Sequence, residues 1–138
     1  IMMMDIDNFK KINDNCGHSV GDKVLVGLAD KLNSHIRSND FLCRWGGEEF
    51  LLICNGLKKQ DIAAFSSKLL KVVEEMNFEC KEIKKFNITI SIGISEFYPE
   101  DEQFSIAINR ADIALYQAKA KGKNRCIILE ENTEKCNS

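Results

Sequence analysis

Two apolar stretches separated by a pair of adjacent glycines constrain the fold of this chain more than any other feature. The stretches read "DFLCRW" and "EEFLLIC", and Gly46 and Gly47 lie between them. Glycine adopts the backbone angles of tight turns without steric cost, so this arrangement predicts two antiparallel strands joined by a hairpin turn. Glu48 and Glu49 follow the glycines directly, which places two carboxylates at one end of the predicted hairpin.

The other strands are predicted from apolar runs and from a two-residue hydrophobic period. The segment "NITISIGISEF" has isoleucine at every second position from Ile88 to Ile94, which predicts a strand with one apolar face. The apolar runs "IMMMD" at the start and "NRCIILE" near the end predict two more strands. The segment "FECKEIKKF" predicts a short edge strand.

Three segments with helical periodicity lie between these strands. The first runs from Ser19 to Ile36, and Ser19 and Asp22 have the spacing of a capping box at its N-terminus. The second has apolar residues at positions 62, 65, 69, 72 and 76. The third runs from Phe104 to Lys121, with Gly122 placed to end it. Its predicted apolar stripe is Phe104, Ala107 or Ile108, Ala111, Leu115 and Ala118.

The order of these elements predicts the fold class. It reads β-α-β-β-α-(β)-β-α-β, and the inner βαββαβ fits a ferredoxin-like, mostly antiparallel sheet with helices packed on it, an α+β fold. Such a sheet brings the end of the first strand beside the central hairpin. We therefore expect Asp5 and Glu48 to lie close together.

Composition limits the class of function. A chain of 138 residues with 44% hydrophobic and 29% charged residues is typical of one globular domain. The net charge of −2 argues against DNA or RNA as a partner. No apolar run approaches the roughly 18 residues of a membrane span, and no secretory signal is present, so we expect a cytoplasmic domain. Because the sequence opens with Ile inside an apolar run, we also expect a longer parent protein, with room upstream for a membrane anchor.

The six cysteines do not have the spacing of a zinc site. No pair is arranged as CxxC, and Cys43, Cys54 and Cys126 fall in apolar, strand-like segments. We expect reduced cysteines that act as small core residues.

Acidic residues at the end of the first strand are candidates for metal binding. Asp5 and Asp7 lie at positions i and i+2, which share a face in a strand. Together with Glu48 and Glu49 they would form an oxygen-rich site of the kind that Mg²⁺ prefers. The alternative is that Asp5 and Asp7 are turn residues after a strand.

Other polar residues also have two interpretations. Asp22 either favours the dipole of the first helix or faces a ligand beyond its end. Arg37 and Asp40 either close that helix or form a site of their own. Lys119 and Lys123 flank the end of the third helix, where they suit the helix dipole and are equally suited to neutralising phosphates.

Six motifs follow one another along the chain: "DIDNFKKIND", "GHSVGD", "RSND", "RWGGEEF", "ITISIGIS" and "RADIALYQAKAKGKNR". Together they resemble the GGDEF family of diguanylate cyclases over nearly the whole chain, and "GGEEF" is an accepted variant of the family signature. The resemblance implies a nucleotidyl-cyclase palm-like domain over residues 1–131. The polar composition of residues 132–138 predicts a disordered tail. It also implies an enzyme that condenses two GTP into cyclic di-GMP and pyrophosphate, with Mg²⁺ or Mn²⁺ as cofactor.

Residue roles carry over from the resemblance by position. Asp5, the carbonyl of Ile6 and Glu48 would hold the metal. Glu49 would support the catalytic site, and Glu48 is also a candidate to receive the proton of the attacking hydroxyl. The residues implied to bind substrate are Phe9, Lys10, Gly46 and Gly47 around the phosphates, Asn13 and Asp22 at the guanine edge, and Lys119 and Lys123 on the phosphates. Lys123 replaces an arginine that is common in the family, so a bidentate phosphate contact is lost there.

The resemblance further implies partners and regulation. One chain is similar to half of an active site, so a second copy carrying its own GTP would complete it. Arg37 and Asp40 match the family's RxxD site, where bound cyclic di-GMP would inhibit the enzyme. Family members usually carry a helix ahead of the first strand and an upstream sensory domain. This sequence lacks that helix, so we expect part of the sheet to be exposed.

Two other functions stay open at this point. The domain would be a receptor for GTP or cyclic di-GMP if activity had been lost, although it keeps the acids Asp5, Glu48 and Glu49. Cyclisation of GTP within one protomer, or the use of ATP, is a third option. Asn13 and Asp22 argue for guanine, whose ring N–H and amine suit an acceptor such as Asp22.

Overall fold

A computed structural model describes residues 1–130 of the chain. The polar tail predicted at 132–138 lies outside the described residues. The elements, in chain order, are β1 (Met2–Ile6), α1 (Phe9–Cys16), α2 (His18–Asn33), β2 (Phe41–Gly46), β3 (Glu49–Ile53), α3 (Lys59–Glu74), β4 (Phe78–Cys80), β5 (Lys84–Phe86), β6 (Ile90–Ser95), α4 (Phe104–Ala120) and β7 (Cys126–Leu129).

Five of the strands form one mixed sheet in the order β2-β3-β1-β6-β7. All neighbouring pairs are antiparallel except β6 and β7, which run parallel. The α+β, ferredoxin-like class predicted from the element order is confirmed. Strand β1 is central, and its residue Asp5 lies opposite Glu49 of β3 on one side and Ser91 of β6 on the other. The strand register therefore places the end of the first strand beside the hairpin acids, as predicted.

The two faces of the sheet are covered by different helices. The larger core joins one face of the sheet to α1, α2 and α3, with Met4, Ile92 and Leu28 fully buried. The smaller core joins the other face to α4 through Met3, Leu51, Ala111 and Leu115. Burying each large apolar side chain stabilises the fold by roughly 1.5–3 kcal/mol. The alternation predicted for β6 is confirmed, because Ile90, Ile92 and Ile94 all lie in the larger core.

Glycine at position 93 lets α4 approach the sheet closely. A Cβ atom there would lie 2.0 Å from the carbonyl oxygen of Ala111 and 2.2 Å from the amide nitrogen of Leu115. Both are backbone atoms of α4, so they cannot move aside without displacing the helix. The α4 residues that carry site side chains are consequently held at a fixed height above β6.

The start of the first predicted helix was wrong in two respects. Residues 9–16, for which no helix was predicted, form the separate helix α1, which follows the left-handed Asn8 (φ 57°). Helix α2 begins at His18 after Gly17, whose φ of 84° separates the two helices, and no capping side chain bonds its N-terminus. The predicted capping box of Ser19 and Asp22 is therefore absent. Helix α2 also ends at Asn33, before Ile36 and Arg37.

Smaller differences follow from packing that periodicity does not report. Phe104, predicted to be buried, is 46% exposed at the start of α4, where its ring stacks on Phe97. In α3, Val73 is fully buried, whereas Val72 is only partly buried. The segment predicted as one edge strand is a separate two-stranded sheet made of β4 and β5.

The cysteines divide into two groups. Cys43, Cys54 and Cys126 are free and half-buried, as expected. Burial raises the pKa of the Cys54 thiol to about 11, so it stays protonated near neutral pH. Cys16 and Cys80, however, form a disulfide with a Cα–Cα distance of 5.8 Å, which corrects the expectation of reduced thiols throughout. This bond ties the end of α1 to the β4–β5 sheet.

No helix within residues 1–130 is both long enough and apolar enough to cross a bilayer.

Candidate active site

Carboxylates gather where β1 ends beside the β2–β3 hairpin. Asp5 is only 7% exposed, and its strand register sets it against Glu49. The hairpin turn is joined to the same strand end, because the amide of Ile6 donates to the carbonyl oxygen of Glu48 at 3.3 Å. These contacts bring Asp5, Ile6, Glu48 and Glu49 together, as the sequence predicted.

Lys119 of α4 is the cation at this cluster. Its Nζ lies 2.6 Å from Oδ1 of Asp5, and that buried oxygen has no other hydrogen-bond donor among the described residues. Because α4 is held close to the sheet at Gly93, the lysine reaches over the end of β1 without leaving its helix. Lys119 therefore lies at the acidic site, and its contact with phosphates stays a prediction.

The cluster has more negative charge than its surroundings neutralise. Burial raises the pKa of Asp5, the negative charges of Glu48 and Asp7 add to that effect, and Lys119 opposes it. Burial also raises the pKa of Glu49, with further contributions from Asp5, Asp112 and Glu48. A divalent cation would relieve this repulsion, and carboxylate and carbonyl oxygens are its preferred donors. The donor set thus fits Mg²⁺ or Mn²⁺.

Asp112 is a carboxylate near the acidic cluster that was not predicted from the sequence. It lies on α4 two helical turns before Lys119 and acts electrostatically on Glu49 of the hairpin. The seven-residue spacing places Asp112 and Lys119 on one face of the helix. This spacing was the sequence signal from which Asp112 could have been predicted to lie near the cluster.

Both oxygens of Asp7, in contrast, accept hydrogen bonds from within the chain. Its Oδ1 accepts a hydrogen bond from Ser91 Oγ at 2.6 Å. Its Oδ2 accepts from Thr89 Oγ1 at 2.7 Å and from the amide of Asn124 at 3.0 Å. A share of Asp7 in the metal site stays a prediction, and its carboxylate connects three segments of the chain.

The hairpin turn is open to solvent. A Cβ atom at Gly47 would meet nothing within 4 Å, and one at Gly46 would only reach the Glu49 carboxylate at 4.0 Å. Packing within the chain therefore does not require glycine there. Gly47 has φ 22°, and Arg44 Nε donates to its carbonyl oxygen at 2.9 Å, which steadies the turn. The open side leaves room for a large ligand to approach the backbone.

A second polar group lies between α1 and α2. Oδ1 of Asn13 is buried without a hydrogen-bond partner in the described structure. The side chain fits there because position 21 is glycine; a Cβ would lie 1.9 Å from that oxygen. Asp22 is the next residue of α2 and is exposed. An unsatisfied buried amide beside an exposed carboxylate is an arrangement suited to a ligand with several hydrogen-bonding groups.

The remaining predicted substrate residues lie on either side of these groups. The Phe9 ring is buried in the larger core, so only its backbone is available, whereas Lys10 is exposed at the start of α1. Lys123 follows α4 in a left-handed conformation (φ 64°) and donates to Oδ1 of Asn8 at 2.6 Å. Lys123 is thus beside the β1–α1 turn.

Arg37 and Asp40 form a separate unit. The guanidinium donates from Nη2 to Oδ1 at 3.0 Å and from Nε to Oδ2 at 3.2 Å, and Nη2 also bonds the carbonyl of Asn55. Burial acts to raise the pKa of Asp40, but the hydrogen bonds from Arg37 outweigh it and hold that pKa below its usual value. The pair adjoins the end of the β2–β3 hairpin opposite the glycine turn. At roughly 3.3 Å per residue, strands of this length separate the two ends by about 15–20 Å.

The α+β sheet is ferredoxin-like, and acids and a lysine gather at its central strand and hairpin. This combination defines a domain of the nucleotidyl-cyclase palm-like class. The family profile described as "Diguanylate cyclase, GGDEF domain" matches residues 1–125. The chain belongs to the GGDEF domain family.

Relatives and solved structures agree with this assignment. Diguanylate cyclase A of Treponema denticola is 40% identical over 98% of this chain, which spans only 36% of that protein. The active GGEEF domain of a diguanylate cyclase from Vibrio cholerae superposes with a TM-score of 0.83 at 35% identity, covering 92% of this chain and 80% of that one. The GGDEF domain of DgcB from Caulobacter crescentus, solved in complex with c-di-GMP, gives 0.85 at 31% identity, covering 92% and 75%.

Proposed function

We propose that this domain condenses two molecules of GTP into cyclic di-GMP with release of pyrophosphate. The observation that carries the proposal is the acidic cluster of Asp5, Glu48 and Glu49, with raised pKa values at Asp5 and Glu49, beside Lys119 and an open glycine turn. Perturbed carboxylates gathered at a ligand-accessible turn are a recognised mark of a catalytic site. Membership of the GGDEF family and relatives named diguanylate cyclases support it.

Asp5, the carbonyl of Ile6 and Glu48 would hold Mg²⁺, or Mn²⁺ in its place. When bound, the ion would neutralise phosphate charge and make the attacking hydroxyl more acidic. Glu48 is the candidate to receive the proton of the 3′-hydroxyl as it attacks the α-phosphate of the other GTP. Glu49, whose pKa is raised by burial and further by the neighbouring acids, would support the catalytic site.

The chain's other polar groups would bind and orient GTP. The backbone of Gly46, Gly47 and Phe9 and the side chain of Lys10 would surround the phosphates. Asn13 and Asp22 would read the guanine edge, where the unsatisfied amide of Asn13 would find its partners. Lys119 and Lys123 would neutralise the phosphates, and both already lie at the acidic site or the adjoining β1–α1 turn.

Condensation of two nucleotides requires two copies of the domain. Each copy would present one GTP, and a two-fold arrangement would align each 3′-hydroxyl with the α-phosphate held by the partner. The initial rate should therefore rise with the square of the domain concentration while the dimer is the minor species.

We further propose that cyclic di-GMP inhibits the enzyme by binding at Arg37 and Asp40. The guanidinium suits phosphate or guanine oxygens, and Asp40 suits guanine N–H groups. The separation between this pair and the glycine turn makes the two sites distinct, as allosteric inhibition requires.

The test is to incubate the domain with Mg²⁺ and GTP over a concentration series and to separate the products by chromatography. We expect cyclic di-GMP and pyrophosphate from the wild type and neither from Glu48→Gln. If the wild type forms no cyclic di-GMP at high concentration but binds GTP or cyclic di-GMP, the domain is a receptor and the enzymatic proposal is wrong.

A further inference from the structure

The carboxylate of Asp7 is the most heavily engaged polar group near the site. It is 3% exposed and accepts hydrogen bonds from two side-chain hydroxyls of the sheet segment, Thr89 and Ser91, and from the amide of Asn124. Its own amide donates to the carbonyl of Thr89 at 2.9 Å. Buried carboxylates with this number of donors are held in one orientation, and they hold their partners in turn.

The Asn124 amide belongs to a loop with an unusual backbone. Gly122, Lys123 and Asn124, defined here as the lysine loop, all have positive φ angles, of 120°, 64° and 46°. Residues other than glycine in this region cost of order 1–3 kcal/mol each and persist only where surrounding contacts impose them. Within the loop, the amides of Gly122 and Lys123 bond back to α4, and the amide of Asn124 bonds to Asp7. Asp7 thus ties Asn124 to the end of β1, and the carbonyl of the next residue, Arg125, accepts from the amide of Ile92 in β6 at 2.9 Å.

The same carboxylate also adjoins the partner of Lys123. Asn8, the next residue after Asp7, has φ 57°, and its Oδ1 accepts a hydrogen bond from the Lys123 ammonium at 2.6 Å. Asp7 therefore fixes the two segments that face each other across this contact, the β1–α1 turn and the lysine loop. Both segments surround the place where the proposed phosphates would lie.

We propose that Asp7 is a positioning residue that sets the lysine loop so that Lys123 faces the phosphates of GTP. The proposal rests on the proposed function only in taking GTP as the ligand. Asp7 acts through the Asn124 amide, not by touching metal or nucleotide, because it is 3% exposed and both of its oxygens accept hydrogen bonds from the chain.

The chemistry of the three donors supplies a discriminating pair of variants. Asp7→Ala removes every acceptor. Asp7→Asn keeps one carbonyl oxygen, which can still accept from Thr89 and the Asn124 amide. Its new NH₂ group faces Ser91, whose hydroxyl rotates and accepts as readily as it donates. The asparagine variant should therefore restore the loop, although a metal ligand or general base at Asp7 would not be rescued in this way.

The first measurement is amide hydrogen exchange of residues 121–125 in the ligand-free domain. We expect Asp7→Ala to accelerate exchange at Asn124 by at least about tenfold, and Asp7→Asn to stay close to the wild type. Ser91→Ala is the matched control, because it removes a bond from the same carboxylate on the side away from the loop. Unchanged exchange at Asn124 in Asp7→Ala, or equal acceleration in Ser91→Ala, would overturn the proposal.

The second measurement is binding of a GTP analogue with a methylene group between the α- and β-phosphorus atoms, which cannot be condensed. We expect Asp7→Ala and Lys123→Ala each to weaken binding by about tenfold, as for loss of one charge-assisted contact, with no further loss in the double variant. Asp7→Asn should bind like the wild type. Additive losses in the double variant would overturn the coupling between Asp7 and Lys123.

These readouts separate the two proposals. If the wild type makes no cyclic di-GMP, the proposed function fails, and exchange and analogue binding still decide the role of Asp7. Where the wild type is active, we expect Asp7→Ala to raise KM for GTP by the factor seen in binding, with kcat changed much less. Should Asp7→Ala be too unstable to purify, Asp7→Asn remains decisive, because a loss of analogue binding as large as that of Lys123→Ala would contradict the rescue.

Discussion

Replacing Gly21 by alanine tests the guanine-reading role of Asn13 without changing Asn13 itself. The new Cβ would lie 1.9 Å from Asn13 Oδ1 and 3.0 Å from its Cγ, where about 3.4 Å is the ordinary closest approach. The obstructing atom is the end of a side chain, not backbone, so Asn13 can rotate away while α1 and α2 stay in place. The expected result is a folded domain whose amide no longer points into the site.

The free energy of unfolding should change only modestly, because stabilising and destabilising effects partly offset each other. Alanine is favoured over glycine inside a helix by about 1 kcal/mol. Moving the unsatisfied Asn13 oxygen out of its buried position also removes a penalty of roughly 1–3 kcal/mol. Two effects oppose this stabilisation. The displaced Asn13 side chain would adopt a strained rotamer, at a cost of about 0.5–1.5 kcal/mol, and the nearby Phe9 ring, which the Cβ would meet at 3.3 Å, would have to adjust. We expect a net change within about 1–2 kcal/mol.

The effect on GTP should be much larger. Loss of the hydrogen bonds between the amide and guanine leaves base groups unpaired, which costs about 2 kcal/mol, or roughly thirtyfold in affinity. Binding of the methylene-bridged GTP analogue measures this loss directly, and competition with ATP measures the loss of base selectivity.

Gly27→Ala is the matched control. It adds a methyl group to the same helix, where the Cβ would meet the ring of Phe78 at 3.2 Å and Cε of Met76 at 3.6 Å, away from Asn13. Wild-type affinity and selectivity in Gly21→Ala would refute the reasoning about Asn13. An equal loss in Gly27→Ala would show that any alanine in this helix disturbs binding.

Four further outcomes are expected. Glu48→Gln should abolish product formation yet slightly stabilise the domain in chemical denaturation, because it removes one of the crowded charges; retained turnover would contradict its role. Burial raises the pKa of Asp5, so its favourable contribution to the metal-free fold is present below about pH 3.8 and lost as pH rises through the raised value. Asp5→Asn should therefore stabilise the metal-free domain at pH 7 but not at pH 3, and unfolding titrations at both pH values check the sign. Arg37→Ala should keep the rate constant as cyclic di-GMP accumulates, and persistent inhibition would place the product site elsewhere. Reducing the Cys16–Cys80 disulfide, which closes a loop with a sequence separation of 64, should destabilise the domain by up to about 4 kcal/mol, measured by denaturation with and without reductant and checked by mass spectrometry.

Some of the fold could be predicted from the sequence because the signal for it is local. The glycine pair between apolar stretches specifies the hairpin, and the alternation from Ile88 to Ile94 specifies β6. Helix α1 could not be found in the same way, since eight residues are too few to show a helical period. It is held by the packing of Phe9 in the core and by Gly17, which separates it from α2.

The candidate site, too, could be predicted only in part from the sequence. Sequence by itself determined which residues are present: the acids of β1 and the hairpin, the amide of Asn13, the lysines at and beyond the end of α4, and the order of motifs that identifies the family. Only the tertiary structure decided that Asp5 meets Lys119 whereas Asp7 turns to Thr89, Ser91 and the Asn124 amide. Those three donors lie 82, 84 and 117 residues away along the chain. A carboxylate at a strand end has the same intrinsic chemistry in both cases. Its role depends on which donors the fold brings within hydrogen-bonding distance, and contacts over such separations are made by packing, not by local periodicity.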